Sequence, residues 1–154
     1  MDEAHFIEAL ISDLIKILLQ SKNLPQDVAH GSYSDKMDYI GKEFRGKIGI
    51  ITPYKSQVRT LKDCIYPKLR TLKLSIDMVE INTVDAYQGR EKEIIIISCV
   101  RGSQERTLGF LNDYRRMNVA ITRAKNFLWV VGNSRTLTRN KNWEAFIKYC
   151  KGKS

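Results

Sequence analysis

The chain has 154 residues, 43% hydrophobic and 28% charged, a balance that suits one globular unit able to bury its own core. Its net charge of +9 sits unevenly: residues 1–100 hold 14 basic and 14 acidic side chains, whereas residues 101–154 hold 12 basic and 3 acidic. A basic block of this kind points to a polyanionic partner, whether nucleic acid, nucleotide phosphate or an anionic membrane, and the absence of a long apolar run excludes a spanning helix.

In chain order, Glu3–Gln20 places Phe6, Ile7, Leu10, Leu14, Ile17 and Leu18 at helical spacing and predicts an amphipathic helix. Asn23–Lys47, with Pro, three Gly and mixed charge, reads as a surface loop or insertion with room for a helical turn around Met37–Phe44. Ile48–Thr52 is a short strand ended by Pro53. Tyr54–Leu72 is a helix with Val58, Leu61, Ile65 and Leu69 on one face, and Pro67 predicts a kink or early stop in it. Met78–Val84 is a second strand and Asp85–Glu91 a turn around Gly89. Glu93–Val100 carries four successive isoleucines, a pattern for a central parallel strand covered on both faces. Gly102–Leu111 is a polar loop. Asn112–Lys125 is a helix with Met117, Ala120, Ile121 and Ala124 as its stripe, followed by the strand Phe127–Gly132 and a closing helix around Trp143–Lys151.

Strands alternating with helices predict a parallel α/β sheet, in which ligands sit at the carboxyl ends of the strands. Three segments fall near such ends. In the first, Thr52, Lys55 and the free amides opening the following helix could hold a phosphate. In the second, Gly89 allows close backbone approach, while Gln88 and Glu91 offer hydrogen bonds to sugar hydroxyls or a terminal phosphate. The third is the Asn112–Lys125 helix, where Arg116 and Arg123 lie seven residues apart and project from nearly one face. Singly these signals are weak, because most charges on a helix face are only solvated. Cys64, Cys99 and Cys150 show no metal-ligand spacing and neither His5 nor His30 is near one, so no metal site is expected and a reducing compartment is.

Together, the order of these segments resembles the second RecA-like lobe of superfamily-one helicases, in the branch of senataxin and the helicase of nonsense-mediated mRNA decay. Thr52-Pro53-Tyr54-Lys55-Ser56-Gln57 is similar to the motif between IV and V. Thr83-Val84-Asp85-Ala86-Tyr87-Gln88-Gly89-Arg90-Glu91 resembles motif V. Gly109–Asp113 with Arg115–Lys125 resembles motif VI. The resemblance runs from about Glu3 to Lys151, outside the Asn23–Lys47 stretch, and implies one RecA-like lobe over residues 1–154. It also implies that Arg123 is the arginine finger reaching the γ-phosphate of ATP, a role worth roughly 10³–10⁵ in rate. Gln88, Gly89 and Glu91 would line the nucleotide, and Thr52, Pro53, Lys55, Thr83 and Asp85 the single strand. Asp85 and Gln88 lie where the two sites must communicate, and Arg116 is expected to brace the motif V loop or a neighbouring carboxylate.

The departures carry expectations of their own. No Gly-x-x-x-x-Gly-Lys-Ser/Thr occurs, so the family's P-loop and acidic magnesium motif belong to an N-terminal lobe outside this sequence. ATP with Mg2+ would bind only together with that lobe, and the chain alone should not hydrolyse it. The expected partners are that lobe and single-stranded RNA or DNA, with no membrane, and the expected location is nuclear or cytoplasmic, the nucleus favoured. The alternative is a nucleic-acid-binding or partner-docking module without catalysis, against which the scarcity of exposed aromatic platforms beyond Tyr54 and Tyr87 counts.

Overall fold

A computed structural model describes residues 2–21, 23–87, 89–99 and 112–152. Four parallel strands, β1 (Ile48–Thr52), β2 (Val79–Thr83), β3 (Lys92–Ser98) and β4 (Ala124–Val131), form one sheet in the order β2-β1-β3-β4. The helices are α1 (Glu3–Leu19), α2 (Gln26–Ala29), α3 (Tyr33–Glu43), α4 (Lys55–Thr71), α5 (Tyr114–Ile121), α6 (Ser134–Leu137) and α7 (Lys141–Lys151). This is the expected RecA-like α/β architecture with helices on both faces.

The alternation of the strands decides what covers them. Ile48, Ile50, Val79, Ile81, Ile94 and Ile96 meet α1, α3 and α4 on one face. Ile51, Ile95, Ile97 and Cys99 meet α5, α6 and α7 on the other. The isoleucine run is therefore buried from both sides, each residue at most 5% exposed.

The Asn23–Lys47 stretch is more than a surface loop: α2 and α3 form within it, α3 overlapping the helical turn expected around Met37–Phe44. Ser32 caps α3 in a reciprocal capping box with Asp35, and Met37 and Ile40 are buried in the core under α1. Its charged composition hid the apolar pair at helical spacing. Nor does Pro67 stop α4, which continues to Thr71. Ile65 and Leu69 are both fully buried around it, so packing outweighs the hydrogen bond that proline removes.

The helix expected over Asn112–Lys125 ends at Ile121. Thr122 turns its hydroxyl back to the Asn118 and Val119 carbonyls, and β4 begins at Ala124. The end of the isoleucine strand at Val100, the Gly102–Leu111 loop with its motif residues, and Gln88 lie outside the described residues.

Candidate functional site

The carboxyl ends of the strands gather one group of candidates. Thr52 and Thr83 close β1 and β2 as paired neighbours in register. Pro53 follows half-buried, and Lys55 opens α4 exposed. The start of α4 has no side-chain cap, because Tyr54 stands where α1, α3, α5 and α7 carry Asp2, Ser32, Asp113 and Asn140. Its first amides are therefore left for another acceptor. The Thr52 side chain is 0% exposed, and its hydroxyl has no hydrogen-bond partner among the described residues. A buried hydroxyl left without a partner costs stability.

Two polar chains tie this end together. Gln57 donates to Ser98 Oγ at 3.4 Å, and Ser98 donates to Glu3 Oε1 at 2.7 Å, which pins the first turn of α4 to the end of β3. Arg116 reaches Asp85 Oδ2 at 3.3 Å and lies 3.8 Å from Asp113 Oδ2, joining the turn after β2 to the start of α5. The expected bracing by Arg116 is thus present in the geometry. Asp85 is exposed but engaged, so its negative charge is largely compensated.

Arg123, Gly89 and Glu91 lie at the other end. They stand at the amino ends of β4 and β3, not at the carboxyl ends where ligands were expected to collect. The physical reason is chain direction: α5 runs antiparallel to the strands, so Arg116 and Arg123 end on opposite rims and not on one shared face. The Lys92 amide donates to the Arg123 carbonyl at 3.0 Å, and Lys92 pairs with Ala124, which sets Arg123 directly beside the Gly89–Glu91 turn. The register shifts just beyond, where Asn126 donates to Glu93 at 2.6 Å; such a bulge re-aims neighbouring side chains.

The Arg123 side chain is half-buried. Its Nε donates to the Val119 carbonyl at 3.0 Å and one terminal nitrogen to Thr122 Oγ1 at 3.1 Å. No described carboxylate lies within salt-bridge distance, so its charge is held in place but not neutralised. Glu91 is exposed and likewise unpaired among the described residues. Gly89 has φ +77°, a conformation that excludes most side chains, with nothing within 4 Å of where a Cβ would stand.

The segment from Thr83 to Lys92 joins the two rims, crossing from the end of β2 over β1 to the start of β3. Tyr87 anchors it. Predicted as an exposed aromatic, Tyr87 is fully buried, its hydroxyl donating to the Glu80 carbonyl at 2.8 Å, and burial pushes the phenol well above its usual range. It lies over Gly49, the only size of residue that leaves it room. Glu80 then holds the crossover by its carboxylate, 2.5 Å from Arg90 and 2.9 Å from Lys92. Burial acts to raise the Glu80 carboxyl, but hydrogen bonds from Lys92 and Arg90 prevail and hold it below its ordinary value. Gly49, Glu80, Ser98 and Glu3 carried no motif, and only the pairing of distant strands brings them in.

A family model described as an AAA domain matches residues 1–135. The chain is 46% identical over 114 residues to Helicase SEN1 of Saccharomyces cerevisiae, covering 73% of this chain and 5% of that protein. It is 44% identical over 107 residues to the ATP-dependent helicase upf1 of Schizosaccharomyces pombe, covering 70% of this chain and 12% of that protein. Similarity to a regulator of nonsense transcripts 1 homolog of Drosophila melanogaster is 44% over 105 residues, or 68% of this chain and 9% of the relative. The chain thus spans a small fraction of the length of the curated relatives it matches.

Proposed function

The chain belongs to the AAA-domain family, as a lobe of the kind found in superfamily-one Sen1- and Upf1-type helicases, and from that premise we propose that it is the half of an ATP-driven helicase that completes a nucleotide site and grips a single strand. The supporting observation is the division of its candidates between two rims joined by one anchored crossover. On the amino rim Arg123 lends a guanidinium to the γ-phosphate, while Glu91 accepts from the ribose and Gly89, with Gln88, lets the backbone approach. On the carboxyl rim Lys55, the uncapped amides of α4, Pro53, Thr52 and Thr83 meet backbone phosphates, with Asp85 and Arg116 fixing the turn between them. The Thr52 hydroxyl is enclosed in the described state, so its part requires the β1–α4 corner to open slightly when a strand docks.

ATP with Mg2+ supplies the phosphoryl group and its leaving charge when bound across two lobes. Among the described residues no cluster of three His, Cys, Asp or Glu suits a metal. This chain's proposed share is the cationic finger, the ribose contact and the close backbone approach at Gln88 and Gly89. Arg123 suits that task because its Nε is occupied by the Val119 carbonyl, which orients the fork before a substrate arrives. Shuttling of strand contacts to nucleotide state would pass through Asp85–Glu91. No described helix is long and apolar enough to cross a membrane, and nuclear residence is part of this proposal.

The test is ATP turnover by a protein that carries both lobes. Arg123→Ala should lower kcat by roughly 10³–10⁵ with nucleotide affinity only modestly weaker, and Arg123→Lys should not restore it. Wild-type turnover in Arg123→Ala removes the finger role and leaves a non-catalytic binding module as the better reading.

A further inference from the structure

Part of the charge block of residues 101–154 gathers at one rim, where Lys55 joins it. Among the described residues, Lys55, Arg115, Arg135, Arg139 and Lys141 are exposed with no carboxylate in salt-bridge distance, and all five belong to segments at the carboxyl ends of β1, β3 and β4. Arg135, Arg139 and Lys141 form the corner between α6 and α7. The nearby acids are already engaged: Asp85 and Asp113 with Arg116, and Glu144 with Lys148 at 2.7 Å.

This corner is fixed against the candidate strand site. Asn140 caps α7 through its Oδ1 and donates from Nδ2 to Asn112 Oδ1 at 3.1 Å, beside the start of α5. Two residues after Lys141, the buried Trp143 lines the same small cleft as Pro53, Val84 and Arg116. The Asn140 cap and the buried Trp143 thus hold Lys141 on the side of the fold that carries the segment proposed to contact phosphates. Four strands at ~4.8 Å separation make the rim ~14 Å wide, enough for more than one backbone phosphate of a strand laid across it.

We propose that the Arg135–Arg139–Lys141 corner binds the phosphodiester backbone of a single strand, extending the contacts at Thr52, Pro53, Lys55 and Thr83. This rests on the strand-binding half of the proposed function. The corner's groups are point charges and guanidinium forks, which suit phosphates and not base edges; it adds affinity and length to the site.

The experiment is fluorescence anisotropy of the 154-residue chain with labelled oligouridylate and oligothymidylate of about 12 nucleotides, at salt from about 50 to 200 mM. The variants are Arg135→Gln/Arg139→Gln/Lys141→Gln, Lys55→Gln, and a charge-matched control on the opposite side, Lys42→Gln/Arg70→Gln/Lys73→Gln. The corner variant should flatten the slope of log K against log salt by about 2 and weaken binding more than tenfold at low salt, with the control near wild type. Equal effects on RNA and DNA mark the shared backbone; loss for one alone identifies which strand the corner takes. If the triple variant melts below the assay temperature, Arg139→Gln alone should flatten the slope by about 0.7. Equal losses in corner and control variants, or binding lowered by Lys55→Gln but untouched at the corner, overturn this inference and leave the proposed function standing. No binding by wild type, or none that depends on Lys55, sinks the strand-binding reading and the corner with it. Loss of binding to phosphatidylserine vesicles without loss of oligonucleotide binding would assign the corner to a membrane surface and also overturn it.

Discussion

Gly49→Ala tests how the crossover between the rims is held. Gly49 lies beside Glu80 of β2 and Ile95 of β3, under Tyr87. A Cβ there would stand 2.7 Å from both Ile95 Cδ1 and the Tyr87 hydroxyl, and 3.1 Å from Lys92 Cγ, where 3.4–4 Å is ordinary contact. Ile95 can rotate out of the way. Tyr87 cannot, because it is fully buried and tethered to the Glu80 carbonyl. Forcing one methyl into such a site costs ~1–3 kcal/mol. For a chain of this size that is a fall in Tm of roughly 2–12 °C. Tyr87→Phe alone loses a hydrogen bond worth ~1 kcal/mol, but it also removes one of the two close contacts. The double variant should therefore be less destabilised than the sum, by ~0.5–1.5 kcal/mol. Urea unfolding of the four proteins measures the cycle, and hydrogen exchange at Gly89–Glu91 reports whether the turn has shifted. Additivity within ~0.3 kcal/mol would mean that Ile95 absorbs the whole clash, and the account of Tyr87 as the anchor would be refuted.

Three further outcomes are expected. The 154-residue chain alone should release no phosphate from ATP above background in a coupled assay, and robust turnover would show that the missing phosphate cradle is not required. Ile40→Ala should cost ~2–5 kcal/mol in chemical denaturation, because Ile40 is 1% exposed inside the core; a loss under ~0.5 kcal/mol would return residues 23–47 to a surface role. Glu80 has a folded pKa below its ordinary value of 4.5, so it binds its proton less readily in the native state than in the unfolded one. Its contribution to stability is complete above that value and is lost as pH falls through the folded one. Glu80→Gln should flatten the acid limb of a stability–pH profile, and an unchanged limb would dismiss the Arg90–Glu80–Lys92 cluster as a stabilising unit.

The two-rim arrangement also changes the meaning of the charge count. Exposed or half-exposed cations stand on both rims, with Lys55, Arg115, Arg135, Arg139 and Lys141 on one and Arg123 and Lys125 on the other. Net charge alone could not separate a phosphate track from a nucleotide pocket, since both call for arginine.

Much of the architecture was legible in local pattern. The isoleucine run required a strand covered on both faces, the helical stripes of α1 and α4 required packing against it, and the Thr-Pro-Tyr, Gln-Gly-Arg-Glu and Thr-Arg-Ala-Lys segments named the family. These are short-range properties: periodicity, capping and residue chemistry survive without knowledge of what lies across the sheet. Three things did not survive in that way. Met37 and Ile40 are core only because α1 lies over them, and nothing within Asn23–Lys47 says so. Arg116 and Arg123 share a helical spacing, yet the Thr122 turn and the antiparallel path of α5 send them to opposite edges. Tyr87, Gly49 and Glu80 form one unit only through strand register between segments up to about forty residues apart. Sequence determines the faces each element offers, because side-chain periodicity is local. Which faces meet is decided by long-range pairing, and the position of every candidate relative to a ligand follows from that.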